Sequence, residues 1–289
     1  MMKKILLLLL LTVCSNQLWA QDDDTTSEGY AVGVPHYTNH ILSAGFGTGQ
    51  MRDTYLTPLL YSGTTLNVRY EREQQPKLGL IGWQRYHMLE ADWLSAEHGD
   101  GNSSSWAGRA RYRFAMPYKF LITYPYELTV GPYAGFDLGF DYNLRMASSN
   151  NPATARATVN AGAIMSAAYA YKLRNMPCYV KLQIMLPLAG AALMPEYGAS
   201  YYETFYLNNA GRRVHFTSLH NQQDFDARLT TTIPMAVVPC FSRSGSALRV
   251  GVAYHIETMD INNIVTRQSS LQFVLGWVWR TMPFNIYRK

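Results

Sequence analysis

At 289 residues the chain could make one large domain or two ordinary ones, so length excludes only the smallest scaffolds. Hydrophobic residues make up 48%, aromatics 13% and charged residues only 16%, well under the roughly 25% charge of an ordinary soluble protein; mean hydropathy is still slightly negative, so apolar and polar residues are interleaved. The formal net charge of +5 comes from dispersed basic residues, without the cluster or stripe that would make nucleic acid a partner.

The chain opens with Lys3 and Lys4, an apolar run from Ile5 to Val13, and Leu18-Trp19-Ala20 before Gln21. These are the basic, apolar and cleavage regions of a secretory signal, and the apolar run is too short for a spanning helix. Residues 1–20 are expected to be removed, which takes away Lys3 and Lys4 and lowers the net charge to +3. Lipidation of Cys14 is the rival, but Leu11-Thr12-Val13 offers no small residue just before the cysteine. Residues 21–39 form a polar N-terminal segment, acidic as far as Glu28. The mature chain keeps Cys178 and Cys240, both in apolar strand-like settings; two free thiols are expected rather than a disulfide.

Residues 40–289 are expected to form the body of the protein. Leu42, Ala44 and Phe46 alternate with Ser43, Gly45 and Gly47. The glycines at 45, 47 and 49 superficially resemble a phosphate loop, but no helix follows them. Met51 to Tyr61 breaks the pattern and is expected to fold into the lumen or cap one end. Leu66, Val68 and Tyr70 then alternate with Asn67, Arg69 and Glu71, and Leu89, Ala91 and Trp93 with Glu90 and Asp92. After a polar loop, Trp106, Ala110, Tyr112 and Phe114 face away from Arg109, Arg111 and Arg113. Three arginines on one strand face need water or acids opposite them.

Tyr126 to Asn143 is the longest regular stretch. Its even positions are apolar and end in Tyr126 and Tyr142, while its odd positions include Glu127, Gly131, Gly135, Asp137, Gly139 and Asp141. That length suits a tilted membrane strand of about 9–11 residues with an overhang. Ala155 to Tyr171 sets Val159, Met165, Tyr169 and Tyr171 against Arg156 and Asn160, and Cys178 to Leu186 alternates around Lys181. From Ala189 to Gln223 the alternation fades, which marks a long loop around 189–223 with Tyr201, Tyr202, Phe205 and Tyr206 in it. Phe225 to Ile233 alternates around Asp226 and Arg228, and Pro234 ends that strand. The last two are the most regular: Leu248 to Ile256 around Arg249, His255 and Glu257, then Leu271 to Trp279, carrying Trp277 and Trp279.

These strands, joined by loops expected to be alternately short and long, read as an all-β fold: a closed antiparallel transmembrane β-barrel of about 10–12 strands in the outer membrane. Closure follows because an unpaired strand edge in hydrocarbon leaves backbone groups unsatisfied. A secreted sandwich is the alternative, but its outer faces would carry Lys, Glu and Ser, and its buried face need not end in Tyr and Trp. Trp19-Ala20 before Gln21, Tyr61-Ser62-Gly63 and the closing Trp277-Val278-Trp279-Arg280…Phe284-Asn285-Ile286-Tyr287-Arg288-Lys289 resemble a Bacteroides-type family of outer-membrane barrel proteins. The resemblance implies a Gram-negative barrel of unassigned function and supplies no catalytic residues.

The lumen face is expected to carry Arg69, Glu71, Glu90, Asp92, Arg109, Arg111, Arg113, Glu127, Asp137, Asp141, Arg156, Lys181, Asp226, Arg228, Arg249, His255 and Glu257. A small barrel is filled by its side chains, so these residues read as a salt-bridged plug before they read as a channel lining. If the Trp106–Phe114 strand pairs with Tyr126–Asn143, then Glu127, Asp137 and Asp141 meet the arginine row. The outer girdle is expected to be Trp106, Tyr126, Tyr142, Tyr169, Tyr171, Trp277 and Trp279. A lipid-modifying hydrolase has two weak echoes: His36-Tyr37-Thr38-Asn39-His40, and Ser218 with His215 and His220 in the long loop and Asp224 nearby. No cofactor or metal is expected. The expected protein is a monomer in outer-membrane lipid, inserted by the barrel assembly machinery, with a structural or binding role through its surface loops toward a ligand or protein partner. A small-solute channel is the alternative.

Overall fold

A strand whose outer face must be apolar and whose inner face must be polar has one register that satisfies both, because a slip of one residue exchanges the faces. The computed structural model, described for residues 38–75, 82–123, 125–144, 152–174, 176–195, 213–237 and 245–281, pairs the chain accordingly. The expected signal and most of the polar segment lie outside these residues. So do Cys240, the loop aromatics Tyr201, Tyr202, Phe205 and Tyr206, and the closing Phe284 to Lys289.

The strands are β1 (Thr38–Asp53), β2 (Thr57–Gln74), β3 (Gly82–Trp83), β4 (Arg85–His98), β5 (Ser104–Ala115), β6 (Tyr118–Thr123), β7 (Tyr126–Asn143), β8 (Ala153–Leu173), β9 (Met176–Leu193), β10 (Val214–Ser218), β11 (Gln222–Pro234), β12 (Ala247–Ile261) and β13 (Ile264–Thr281). All described pairings are antiparallel, and β1 pairs with β2 on one side and β13 on the other, which closes the sheet. The wall has ten strands, in the order β1, β2, β4, β5, β7, β8, β9, β11, β12, β13. The short strands prolong long ones: β6 continues β5 along β7 beyond Met116-Pro117, β3 extends β4 along β6, and β10 leads into β11 along β9. Pro117 has no N–H to give, so the ladder breaks there.

Burial is inverted relative to a soluble domain. Leu42, Phe46, Leu66, Val68, Leu89, Phe136, Leu138, Val252, Phe273 and Leu275 are exposed, whereas Arg69, Glu71, Glu90, Arg109, Arg111 and Arg113 are buried. Such an exterior is at home only in hydrocarbon. Two aromatic belts bound it. Near one end Trp93 packs on Trp106 at 5.9 Å and on Phe140 at 5.8 Å, and Trp106 on Tyr142 at 6.3 Å. Near the other, His40 stacks on Trp279 at 5.4 Å, Tyr126 packs on Tyr169 at 5.2 Å, and Trp83 meets Tyr118 at 5.3 Å. Trp277 is exposed beside Trp279, and Tyr171 lies half-buried opposite Cys178, which is buried and free. The fold is an integral outer-membrane-type barrel.

With ten strands, Thr38 and Thr281 lie side by side at one end, called here the termini end. Connections there span 75–81, 124–125, 174–175 and 235–246; those at the far end span 54–56, 99–103, 144–152, 194–213 and 262–263. Both ends mix tight and long connections, so the regular short-long alternation expected from sequence does not hold. Met51 to Tyr61 is neither a cap nor a lumen insertion but the tight β1–β2 hairpin. Between β12 and β13 the turn Asn262-Asn263 has φ of 56° and 59°, the left-handed pair that a two-residue hairpin needs and that asparagine tolerates. The pairing of β8 with β9 steps from Gly162↔Pro187 to Ala161↔Ala189 and leaves Leu188 unpaired and exposed. This bulge switches the inward positions of β9 from Gln183 and Met185 to Ala192 and Met194, which is why the alternation fades from Ala189 onward.

The closing seam tolerates no side chain at Gly47, where a Cβ would sit 1.9 Å from the Leu271 carbonyl oxygen and 2.7 Å from Gln272 Cα. Gly47→Ala is expected to push β1 and β13 apart at a cost of about 1–3 kcal/mol. The effect should appear as a smaller fraction of fast-migrating folded barrel in unboiled gel electrophoresis.

Candidate functional site: the charged lumen

Each inward residue arrives by simple alternation: Asn67, Arg69, Glu71 and Glu73 from β2, Tyr86, Glu90 and Asp92 from β4, Arg109, Arg111 and Arg113 from β5, and Asp224, Asp226 and Arg228 from β11. Glu90 is the hub. Its Oε1 accepts a hydrogen bond from Asn67 Nδ2 at 2.6 Å and another from Arg228 Nη2. Its Oε2 lies 3.7 Å from both Arg69 Nη1 and Arg111 Nε. Arg69 pairs with Glu71 at 2.6 Å and Asp226 at 3.2 Å, and donates to the Tyr86 hydroxyl at 2.9 Å. Arg111 pairs with Asp92, to which Asn67 also donates at 2.6 Å. Arg249 joins at Glu71, 2.9 Å away.

A second group centres on Asp137. Arg113 grips it with both terminal nitrogens, Asn160 donates to it at 2.8 Å, and Arg113 also reaches Asp224 at 3.5 Å. His255 Nε2 lies 2.9 Å from Asp224, so this histidine is held in a buried polar network. Arg156 binds Asp141 at 2.7 Å and comes within 3.9 Å of Glu257, which pairs with Arg109. Of the three β7 acids expected to face the arginine row, only Asp137 does so. Asp141 turns to β8, and Glu127 pairs with Lys119 at 2.9 Å. The reason is geometric: Arg111 lies opposite Asp137 in the ladder but is nearer two β4 carboxylates, and Arg109 lies opposite Gly139.

The strand order turns some of these pairs into struts. Arg228–Glu90 joins β11 to β4, Arg109–Glu257 joins β5 to β12, and Lys181–Glu73, at 2.6 Å, joins β9 to β2. In each case the two strands are diametrically opposite in the ten-strand ring. Among the struts remains a void of about 10 Å³ lined by Arg109, Arg111, Asp137, Arg156, Asp224 and Glu257, room for about one water. Toward the far end two apolar clusters fill the lumen, Met51, Tyr61, Leu94, Ala96 and Ala107, and Ala192, Met194, Met259, Ile261 and Ile264. Toward the termini end the lumen widens into a vestibule of about 390 Å³, whose lining includes Glu73, Lys119, Glu127, Lys181 and Arg249.

Sequence reasoning missed Glu73, Tyr86, Lys119 and Asp224 as lumen residues, and it put Asn67 on the polar face of its strand without giving it a place in the charge network. Glu73 is the next inward position after Glu71 in the β2 alternation. Asp224 is two residues before Asp226, yet it was grouped with Ser218 and His220. In the structure Ser218 Oγ contacts His220 Nδ1 on an exposed turn, while Asp224 is turned inward to His255 and Arg113. His215 contacts Asn262 at 2.8 Å, and among the described residues no carboxylate orients His220. His40 belongs to the aromatic belt, between Tyr70 at 2.7 Å and Thr281 at 3.0 Å. Among the described residues no group of three or more His, Cys, Asp and Glu side chains could hold a metal ion.

No curated protein matches the chain. Among solved structures it is similar to the outer membrane protease OmpT from Escherichia coli, with 7% identity, 89% of this chain and 99% of that one covered, and a TM-score of 0.45. It is also similar to the translocator domain of autotransporter NalP from Neisseria meningitidis, at 9% identity, 94% and 96% coverage and a TM-score of 0.39. An outer membrane channel from Pseudomonas putida F1 gives 10% identity, 89% and 100% coverage and a TM-score of 0.36. Likeness at this level carries no functional argument, and the fold rests on the strand pairing itself. The family is a different matter: a match over residues 4–287 places the chain in the family described as Protein of unknown function (DUF3316).

Proposed function

We propose that this protein is a non-conducting outer-membrane barrel with a structural or binding role rather than a channel or an enzyme. The observation that carries this reading is the set of ion pairs between diametrically opposite strands, Arg228–Glu90, Arg109–Glu257 and Lys181–Glu73. A pore needs a continuous water path, and small barrels are closed by side chains meeting in the middle. The hydrolase reading loses its carboxylate, since Asp224 is committed to the lumen. Binding then belongs to the two ends: the far-end connections, above all residues 194–213, and the blind vestibule at the termini end. The proposal includes a secretory signal at 1–20, a Gram-negative host of the Bacteroides type, insertion by the barrel assembly machinery, and a monomer in lipid.

The test is conductance in planar bilayers. Purified, refolded barrel is expected to give no discrete current steps, while Glu73→Ala/Glu90→Ala/Glu257→Ala, which removes one end of every strut, gives intermittent leak. Stable open-channel steps from the unmodified protein would sink the proposal.

A further inference from the structure

The outer wall carries one arrangement that the barrel itself does not explain. At the far end of the closing seam, Arg52 of β1 and Arg267 of β13 are direct cross-strand partners. Both point outward and are exposed. Neither makes an ion pair with any described residue. Like charges placed directly opposite each other on one sheet face repel, and a membrane barrel gains nothing by holding two guanidinium groups together against lipid. The acids nearby do not relieve them. Asp53 is buried on the inner face, and Asp260 of β12, opposite Val265 of β13, is one diagonal from Arg267 and pairs with neither arginine.

Apart from Leu60 of β2, beside Arg52, the surroundings are polar in a way the rest of the belt is not. Gln50 lies opposite Ser62 and Ser269, and Thr258 opposite Arg267. One row of ladder partners runs Thr48, Thr64, Ser95, Trp106 and Tyr142. It therefore changes from hydroxyls on the seam side to the aromatic belt on the other. The seam side lacks the aromatic anchors of that end and has paired cations with hydroxyl and amide neighbours instead.

We propose that Arg52 and Arg267 form a site on the outer wall for the phosphate of a lipid headgroup in the leaflet at the far end. Two guanidinium forks side by side match a tetrahedral phosphate with parallel N–H donors, and the anion turns their repulsion into attraction. Gln50, Ser269 and Thr258 supply neutral donors around it. The lipid's acyl chains lie along the apolar wall below, past Phe46 and Phe273, which are themselves direct partners and exposed.

The experiment uses the full barrel in detergent, purified lipid A as the probe, and native mass spectrometry to read the lipid-bound fraction. Wild type is expected to retain one lipid, and Arg52→Gln/Arg267→Gln to need about tenfold more lipid for the same occupancy. Arg72→Gln/Arg85→Gln, exposed arginines at the termini end, is expected to bind like wild type. Both variants change only outward side chains, and unboiled electrophoresis checks that each barrel has closed. Equal binding by wild type and Arg52→Gln/Arg267→Gln overturns the proposal, as does an equal loss in the termini-end control. Displacement of the lipid by millimolar inorganic phosphate overturns the assignment to a lipid headgroup.

Discussion

Glu90→Ala is expected to lower the unfolding free energy of the barrel by about 3–5 kcal/mol, the usual cost of stripping one partner from a buried charge network. Glu90 is 2% exposed and sits among the guanidinium groups of Arg69, Arg111 and Arg228. Without its carboxylate, Asn67 loses one acceptor and Arg228 loses its partner on the diametrically opposite strand, leaving its contacts with Asp226 on its own strand and with Asn67 of β2. The three cations then face one another in a space that admits little water. Glu90→Gln restores the shape but not the charge, so it is expected to recover only a minor part. Urea unfolding of vesicle-reconstituted barrel, followed by tryptophan fluorescence, measures the effect. Glu127→Gln is the comparison: its side chain is 31% exposed in the vestibule opposite Lys119, and its loss is expected to cost at most about 1 kcal/mol. The double variant Glu90→Ala/Arg228→Ala should cost less than the two single changes together, since it removes a charge from each side of a strut. A Glu90→Ala cost near that of Glu127→Gln would mean that water reaches the network and that the lumen is not plugged.

The same network separates what the sequence encodes locally from what it does not. Alternation is a local property, so β7 was legible to the residue, Tyr126 to Asn143, and so was the inward face of β5 with its three arginines. Two strands were under-read for physical reasons. The far-end half of β2, Thr57 to Thr64, has Ser62 and Thr64 on its outer face, where the alternation of a membrane strand calls for apolar residues. On β9 the bulge at Leu188 reverses the parity, so a strand that continues to Leu193 read as the start of a loop. Neighbouring-strand contacts such as Arg111–Asp92 follow from chain order, because sequential strands pair. Lys181–Glu73 and Arg109–Glu257 do not. Finding them requires the strand number and the stagger of the closed sheet, and neither is written in any one strand. The inner charges were therefore readable as a set, and their partners were not.

The outer face permits a sharper test, because the cost of a charge there depends on depth. Leu89 lies on β4 between His87, which packs on Phe114 at 4.9 Å, and Trp93 of the far-end belt, and it is 57% exposed. Leu60 lies near the far end of β2 and is 48% exposed. In water the two leucines are nearly equivalent surface positions, and arginine at either would change stability by no more than about 0.5 kcal/mol. In a bilayer they differ. Leu89→Arg puts a guanidinium near mid-depth and is expected to cost about 2–4 kcal/mol, whereas Leu60→Arg lies near the interface and costs about 0–1 kcal/mol. Neither substitution touches the ion pairs of the lumen, and Leu60→Arg adds a cation beside Arg52 that can only raise its own cost, so a larger cost at Leu89 reports the medium outside the wall. Unfolding in phospholipid vesicles reads both values, and equal costs at the two positions would contradict a lipid-facing exterior. The comparison also bears on Arg52 and Arg267, which share the far-end rim with Leu60: a rim that tolerates arginine is one where a guanidinium pair can wait for a phosphate without unfolding the barrel.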